Sequence, residues 1–379
     1  MATKPRNIFE DVGDVQKQIA SPGGIDARSK GARGAIRIWL GLIFGLVGIV
    51  ILVGGLTRLT DSGLSITEWA PFSGALPPLT DLAWADAFER YKAIPEYQLQ
   101  NKGMDLSEFK GIFWWEWGHR QLGRVIGLVW AIGFLGFLVA RKIPTGWTWK
   151  LLLLGVLGGL QGAIGWWMVS SGLEDGMLDV ASYRLATHLG LAFVIFGFIT
   201  WFIIQLSRSE AALLQARRLT DVRLSRLGTW LIALAFVQIL LGALVAGIDA
   251  GRGFPDWPLM AGGFLPPQPF GLVPLWRNFF EDPGLVQFMH RIAGYFLFGF
   301  GIFVWARARK NGNARTRLAF STVLAVMTLQ VVLGIITVIY SAPVEIAIVH
   351  QLGAVVLWVV ILRARFLAGH PHPQSIRGA

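Results

Sequence analysis

Six histidines stand in this 379-residue sequence, and four of them, His119, His188, His290 and His350, fall inside long apolar runs. An ionisable side chain is costly in hydrocarbon, so within a membrane span it marks function by default. Neutral imidazole is the commonest metal ligand among side chains. The four lie five to seven residues into their runs, about 8–10 Å below one membrane boundary at a rise of ~1.5 Å per residue. Two opposed imidazoles at one depth suit the iron of a flat, apolar macrocycle, the bis-histidine haem arrangement between bundle helices. Zinc would want a third or fourth ligand nearby, and only Glu116 offers one. A proton relay would run through the membrane rather than along one level. Four polar groups merely satisfied by helix–helix hydrogen bonds would not need to be paired and level.

The neighbours of these histidines carry complementary chemistry. Arg120 and Arg291 each follow a histidine, and Arg124 and Arg184 lie about one turn from His119 and His188. Guanidinium pairs with carboxylate, so these arginines suit haem propionates; the plainer reading is snorkelling to headgroups. Glu116 stands three residues before His119, on the same helix face, whereas the position before His290 holds Gln287. A carboxyl in low dielectric can exchange a proton or stabilise developing positive charge. One reactive site and one electron-transfer or structural site follow from that asymmetry. Gln161, Gln238 and Gln330 each precede a glycine by four residues, which reads as interhelical hydrogen bonding. His370 and His372 read as part of an exposed tail.

The elements that must position these groups are helices in lipid. Hydrophobic residues make up 54% of the chain and charged residues only 15%, well under the charge of a soluble domain. Eight runs meet the roughly 20-residue requirement of a bilayer, at about 36–57, 112–140, 149–171, 181–206, 227–248, 285–306, 317–340 and 345–363. The fold class is therefore an all-α polytopic membrane protein. Basic residues crowd the alternate connections, so the net charge of +11 reads as positive-inside orientation and not as nucleic-acid binding. Both termini are then cytoplasmic, and the histidines and most tryptophans lie toward the opposite face. The absence of cysteine excludes disulfides, thiolate metal sites, iron–sulfur clusters and covalent haem attachment. In the first long loop Leu82, Ala85, Phe88 and Tyr91 share a helical face, as in a short helix lying on the membrane surface.

The spans repeat. Gly54–Pro78 answers Gly242–Pro267, Gly118–Arg124 answers Met289–Tyr295, Gln161–Gly172 answers Gln330–Ser341, and Ala186–Gly190 answers Val349–Gly353. The order implies a parallel repeat about an axis normal to the membrane, giving two pseudo-symmetric four-helix bundles. The expected division is a tail at 1–34, a first bundle at 35–207, a linker at 208–226, a second bundle at 227–366 and a tail at 367–379.

On GGLTRLTDSGLS with its EWAPFSGALPP continuation, EFKGIFWWEWGHRQLGR, RLATHLG and the motifs around His290 and His350, the chain resembles the haem A synthases of cytochrome oxidase assembly. The resemblance covers nearly all spans. It implies oxidation of one methyl group of haem O to a formyl group, giving haem A, by successive hydroxylation and loss of water. It implies haem b on His290 and His350, the substrate haem on His119 and His188, and an essential Glu116. It also implies a bacterial cytoplasmic membrane location, haem O from a haem O synthase, and an electron acceptor or donor that the sequence does not name. A cysteine pair marks one branch of the family, and this chain resembles the branch without it. The main alternative is a di-haem b-type electron carrier acting on quinone; a transporter or haem-delivery protein and a prenyltransferase fit less well. The sequence leaves homo-oligomerisation open.

Overall fold

The computed structural model describes residues 30–174 and 176–374. Eight helices in it are long and apolar enough to cross a membrane: α1 Lys30–Leu59, α2 Leu106–Val139, α3 Thr148–Gly172, α4 Ser182–Leu206, α5 Val222–Gly247, α6 Pro283–Ala308, α7 Ala314–Ile339 and α8 Val344–Gly369. In lipid every backbone polar group must be satisfied within the segment, which leaves helices as the solution for these runs. Four of their starts carry polar caps. Asp221, Asp282 and Asn313 accept from the N–H groups of Leu224, Leu285 and Thr316. Asp105 and Glu108 form a reciprocal capping box at α2. Among the described residues no strand forms beyond a single bridge between Met260 and Gly263.

Each half closes a ring of neighbours. In the first, α1 packs on α2, α2 on α3, α3 on α4 and α4 on α1; in the second, α5 to α8 repeat that circuit. The rings meet along α1, α4, α5 and α8. One buried apolar cluster runs through that seam, joining Ile36, Leu40, Phe193, Phe196, Leu231, Trp358 and Ile361. The halves therefore share a core.

Two sequence expectations change. The helix in the first long loop, Asp81–Lys92, is capped by Thr80, but its buried face is Trp84, Ala87, Phe88 and Tyr91. Leu82 is 81% exposed. The helix docks on the protruding start of α2, with Trp84 edge-on to Phe113 at 4.9 Å and Phe88 against Phe109 at 5.1 Å. Burying two large rings outweighs the local period. At the other end α8 continues to Gly369, and His370 is buried rather than exposed, stacked on Phe366 and accepting from Arg217 Nε at 3.3 Å. The 208–226 connection contains a helix, Glu210–Arg217. Most of the expected N-terminal tail, and the last residues of the C-terminal one, lie outside the described residues.

Candidate functional site

His188, His290 and His350 are the seventh, eighth and seventh residues of α4, α6 and α8, while His119 lies deeper in α2 because that helix begins with the extension under the loop. Each imidazole is half-buried and lies against a glycine of the preceding span. A Cβ at Gly54 would stand 2.8 Å from His119 Cε1, at Gly165 2.8 Å from His188, at Gly242 3.1 Å from His290 and at Gly334 3.0 Å from His350. Any side chain there would displace the ring. One turn before three of those glycines stands a glutamine. Gln161 Nε2 donates to the main-chain oxygen of His188 at 3.0 Å, Gln238 to that of His290 at 3.0 Å, and Gln330 to that of His350 at 2.8 Å. The interhelical role read from the sequence is the one these glutamines have.

Glu116 is buried and receives four donors. Ser65 Oγ and the Ile66 N–H reach Oε2 at 2.7 and 2.8 Å, and Arg120 Nε and Nη2 reach Oε1 at 3.1 and 2.6 Å. That coordination suits an acceptor-only carboxylate with a charge-assisted partner. Arg120 also donates to the carbonyls of Ile66 and Glu68. In the second half Arg291 binds the carbonyls of Phe254 and Leu259 and Gln287 Oε1 at 3.1 Å. The arrangement is the same with a neutral amide where the first half has a charge. Arg124 donates to the carbonyls of Ala70 and Pro71 and to Gln121. Arg184 binds the Trp167 carbonyl at 2.8 Å and lies over the Trp167 ring. All four arginines thus pin loops or helix ends. A small cavity of about 50 Å³ remains beside Arg120, Arg124 and Trp117.

The donor set fits haem better than a bare metal ion. Among the described residues no three of His, Asp and Glu converge on one point. The ring nitrogens His119 Nδ1 and His350 Nδ1 are buried without partners, as are the side-chain oxygens of Gln161, Gln238 and Gln330. Unpaired buried polar atoms carry a cost, and grouped around paired imidazoles they suit a site completed by a ligand. Sequence reasoning missed Ser65, 51 residues from Glu116, and the glycine behind each histidine. The recurring Gln-x-x-x-Gly spacing was the signal for three of those glycines.

Fold and site together define an all-α polytopic membrane protein with two pairs of glycine-backed histidines within its helices. Comparison with known proteins narrows the class. Residues 37–362 match the family model COX15-CtaA, cytochrome oxidase assembly protein, and the chain belongs to that family. It is 62% identical to the haem A synthase of Ruegeria sp. (strain TM1040) over 377 residues, 98% of this chain and 99% of that protein. It is 64% identical to that of Dinoroseobacter shibae over 380 residues, covering 100% of this chain and 99% of the relative, and 54% identical to that of Paracoccus denitrificans over 380 residues with the same coverage.

Proposed function

We propose that this chain is a haem A synthase that oxidises a methyl group of haem O to the formyl group of haem A. Its full-length likeness to proteins of that name supports the reaction, and the Glu116/Gln287 difference supports its location. His119 and His188 hold the substrate porphyrin in the first half, and His290 and His350 hold haem b in the second. Haem b, when bound, supplies one-electron transfer between substrate and an external electron partner. The chain's own residues do the rest. Arg120, Ser65 and Ile66 immobilise Glu116 one turn from His119. With all its acceptor sites engaged, Glu116 acts by placing negative charge beside the reacting carbon, where positive charge develops. Arg124 and Arg184 hold the loop ends against the first half. The two bundles divide the work, the first reactive and the second electron-carrying. The acidic loops face the periplasm and the basic ones the cytoplasm, with haem sites toward the periplasmic face.

The Glu116/Gln287 asymmetry carries this reading. Acid extraction and chromatography of haems from the purified protein test it. Haem O or haem A accompanies haem b in the parent, and haem b alone would overturn the assignment in favour of an electron carrier. Glu116→Gln keeps its haem and loses the formyl product; a normal haem A yield removes Glu116 from the mechanism. His290→Ala loses the haem b absorbance.

A further inference from the structure

The repeat breaks twice around one histidine. Beside Glu116, which replaces Gln287, the second break lies on α1. In the register that pairs Gly54 with Gly242, the counterpart of Gln238 is Val50. Gln161, Gln238 and Gln330 each reach from the preceding span to the histidine they serve. Their nitrogens already hold the main-chain oxygens of His188, His290 and His350. Those of Gln161 and Gln238 also lie 3.1–3.3 Å from the ring nitrogens. Groups that hold a ligand residue in place fix its orientation toward a metal. Three histidines have such a holding amide on the neighbouring span. His119 does not: the valine one turn from Gly54 offers no polar atom. The room for a glutamine persists. Gln238 Nε2 lies 3.2 Å from the Cβ position of Gly294, whereas at the equivalent Gly123 nothing lies within 4 Å.

We propose that Gln161, Gln238 and Gln330 are positioning residues that lock His188, His290 and His350 as standing ligands. His119 is the releasable one. The inference rests on the assignment of substrate porphyrin to the first half. A resident cofactor needs two fixed ligands. A substrate that must leave as product needs one that lets go, with the opposite ligand holding register. Of the four histidines, the one without a holding glutamine is in the half proposed to turn over.

The test is transfer of haem from the full-length purified protein to excess apomyoglobin, with haem O and haem A distinguished from haem b as pyridine haemochromes. Val50→Gln slows release of the first-half haem about tenfold, the lower end of outer-partner effects, and leaves haem b release unchanged. Gln161→Leu speeds first-half release, and Gln238→Leu speeds loss of haem b. Parental rates in Val50→Gln and Gln161→Leu overturn the proposal; should Val50→Gln fail to fold, the two leucine variants decide it alone. Failure of the functional reading looks different: His119→Ala and His188→Ala would then retain haem O and haem A in parental amounts, whatever the transfer rates.

Discussion

At the scale of single residues, the two halves form an internal control. Arg120 and Arg291 make equivalent bonds to loop carbonyls, but Arg120 also pairs with the carboxylate of Glu116, whose side chain is 4% exposed. Removing one partner of a buried ion pair strands the other charge and costs about 3–5 kcal/mol. Losing neutral hydrogen bonds leaves unsatisfied groups at about 1–3 kcal/mol. Arg120→Gln therefore lowers the thermal midpoint more than Arg291→Gln, and equal losses would show that Glu116 is not held as a carboxylate. A second buried acid lies in the first long loop. Glu96 accepts from Tyr91 Oη at 3.2 Å and Asn101 Nδ2 at 3.3 Å, and burial pushes its carboxyl up from 4.5 to about 8. Between those values the unfolded chain releases a proton that the folded loop keeps, so this group's contribution to stability falls as pH rises. Thermal unfolding of parent and Glu96→Gln at pH 5 and pH 8 checks the sign: the difference moves in the variant's favour at the higher pH. The Glu116/Gln287 contrast was legible because it is a local break in a repeat. Ser65 was not, because a hydroxyl in a loop acquires meaning only when the fold closes it onto a distant helix.

At the scale of elements, hydropathy made the eight spans legible, since a bilayer admits few other uses for such runs. Which face a helix buries was less so. In Asp81–Lys92 the apolar spacing admits two faces, and docking on α2 chooses the one with Trp84. The histidine-bearing helices depend on close approach by their neighbours, and the glycines are where that dependence is tested. A methyl at Gly165 meets His188 Cε1 at 2.8 Å, and one at Gly334 meets His350 Cε1 at 3.0 Å. Each pushes one ring out of line without touching the other half. Gly165→Ala thus loses first-half haem while keeping haem b, and Gly334→Ala does the reverse. Haemochrome spectra of the two purified variants separate these outcomes. Loss of both haems in each would mean that the glycines serve general helix packing.

At the scale of the whole molecule, the repeat was visible in sequence but the seam between halves was not. Its chief polar contact belongs to a residue with no counterpart: Arg58, near the end of α1, where the second half has Ala246. A lone basic residue at a span end reads as an interfacial anchor. In the fold it is 11% exposed and binds Asp61 at 2.7 Å, Asp179 at 3.3 Å and Asp249 at 3.0 Å. Asp61 and Asp249 are repeat counterparts, both in the left-handed region at φ 47° and 51°, so one guanidinium joins equivalent turns of the two halves. A second link starts beside His350. Gln351 donates to the Ile51 carbonyl of α1 at 2.7 Å, and its oxygen lies 1.9 Å from where a Cβ on Gly55 would stand, next to the glycine that backs His119. The halves are thereby joined polar-to-polar as well as through their shared apolar core. Because the aspartates are partly exposed, losing the cation costs less than a fully buried pair would, about 1–3 kcal/mol. If Arg58 clamps the seam, its removal and that of Asp249 are not independent. In a double-mutant cycle on thermal unfolding, Arg58→Gln and Asp249→Asn couple by about 0.5–3 kcal/mol. Arg58→Gln and Glu345→Gln, which share no contact, add. Additivity in both cycles would show that Arg58 does not clamp the seam.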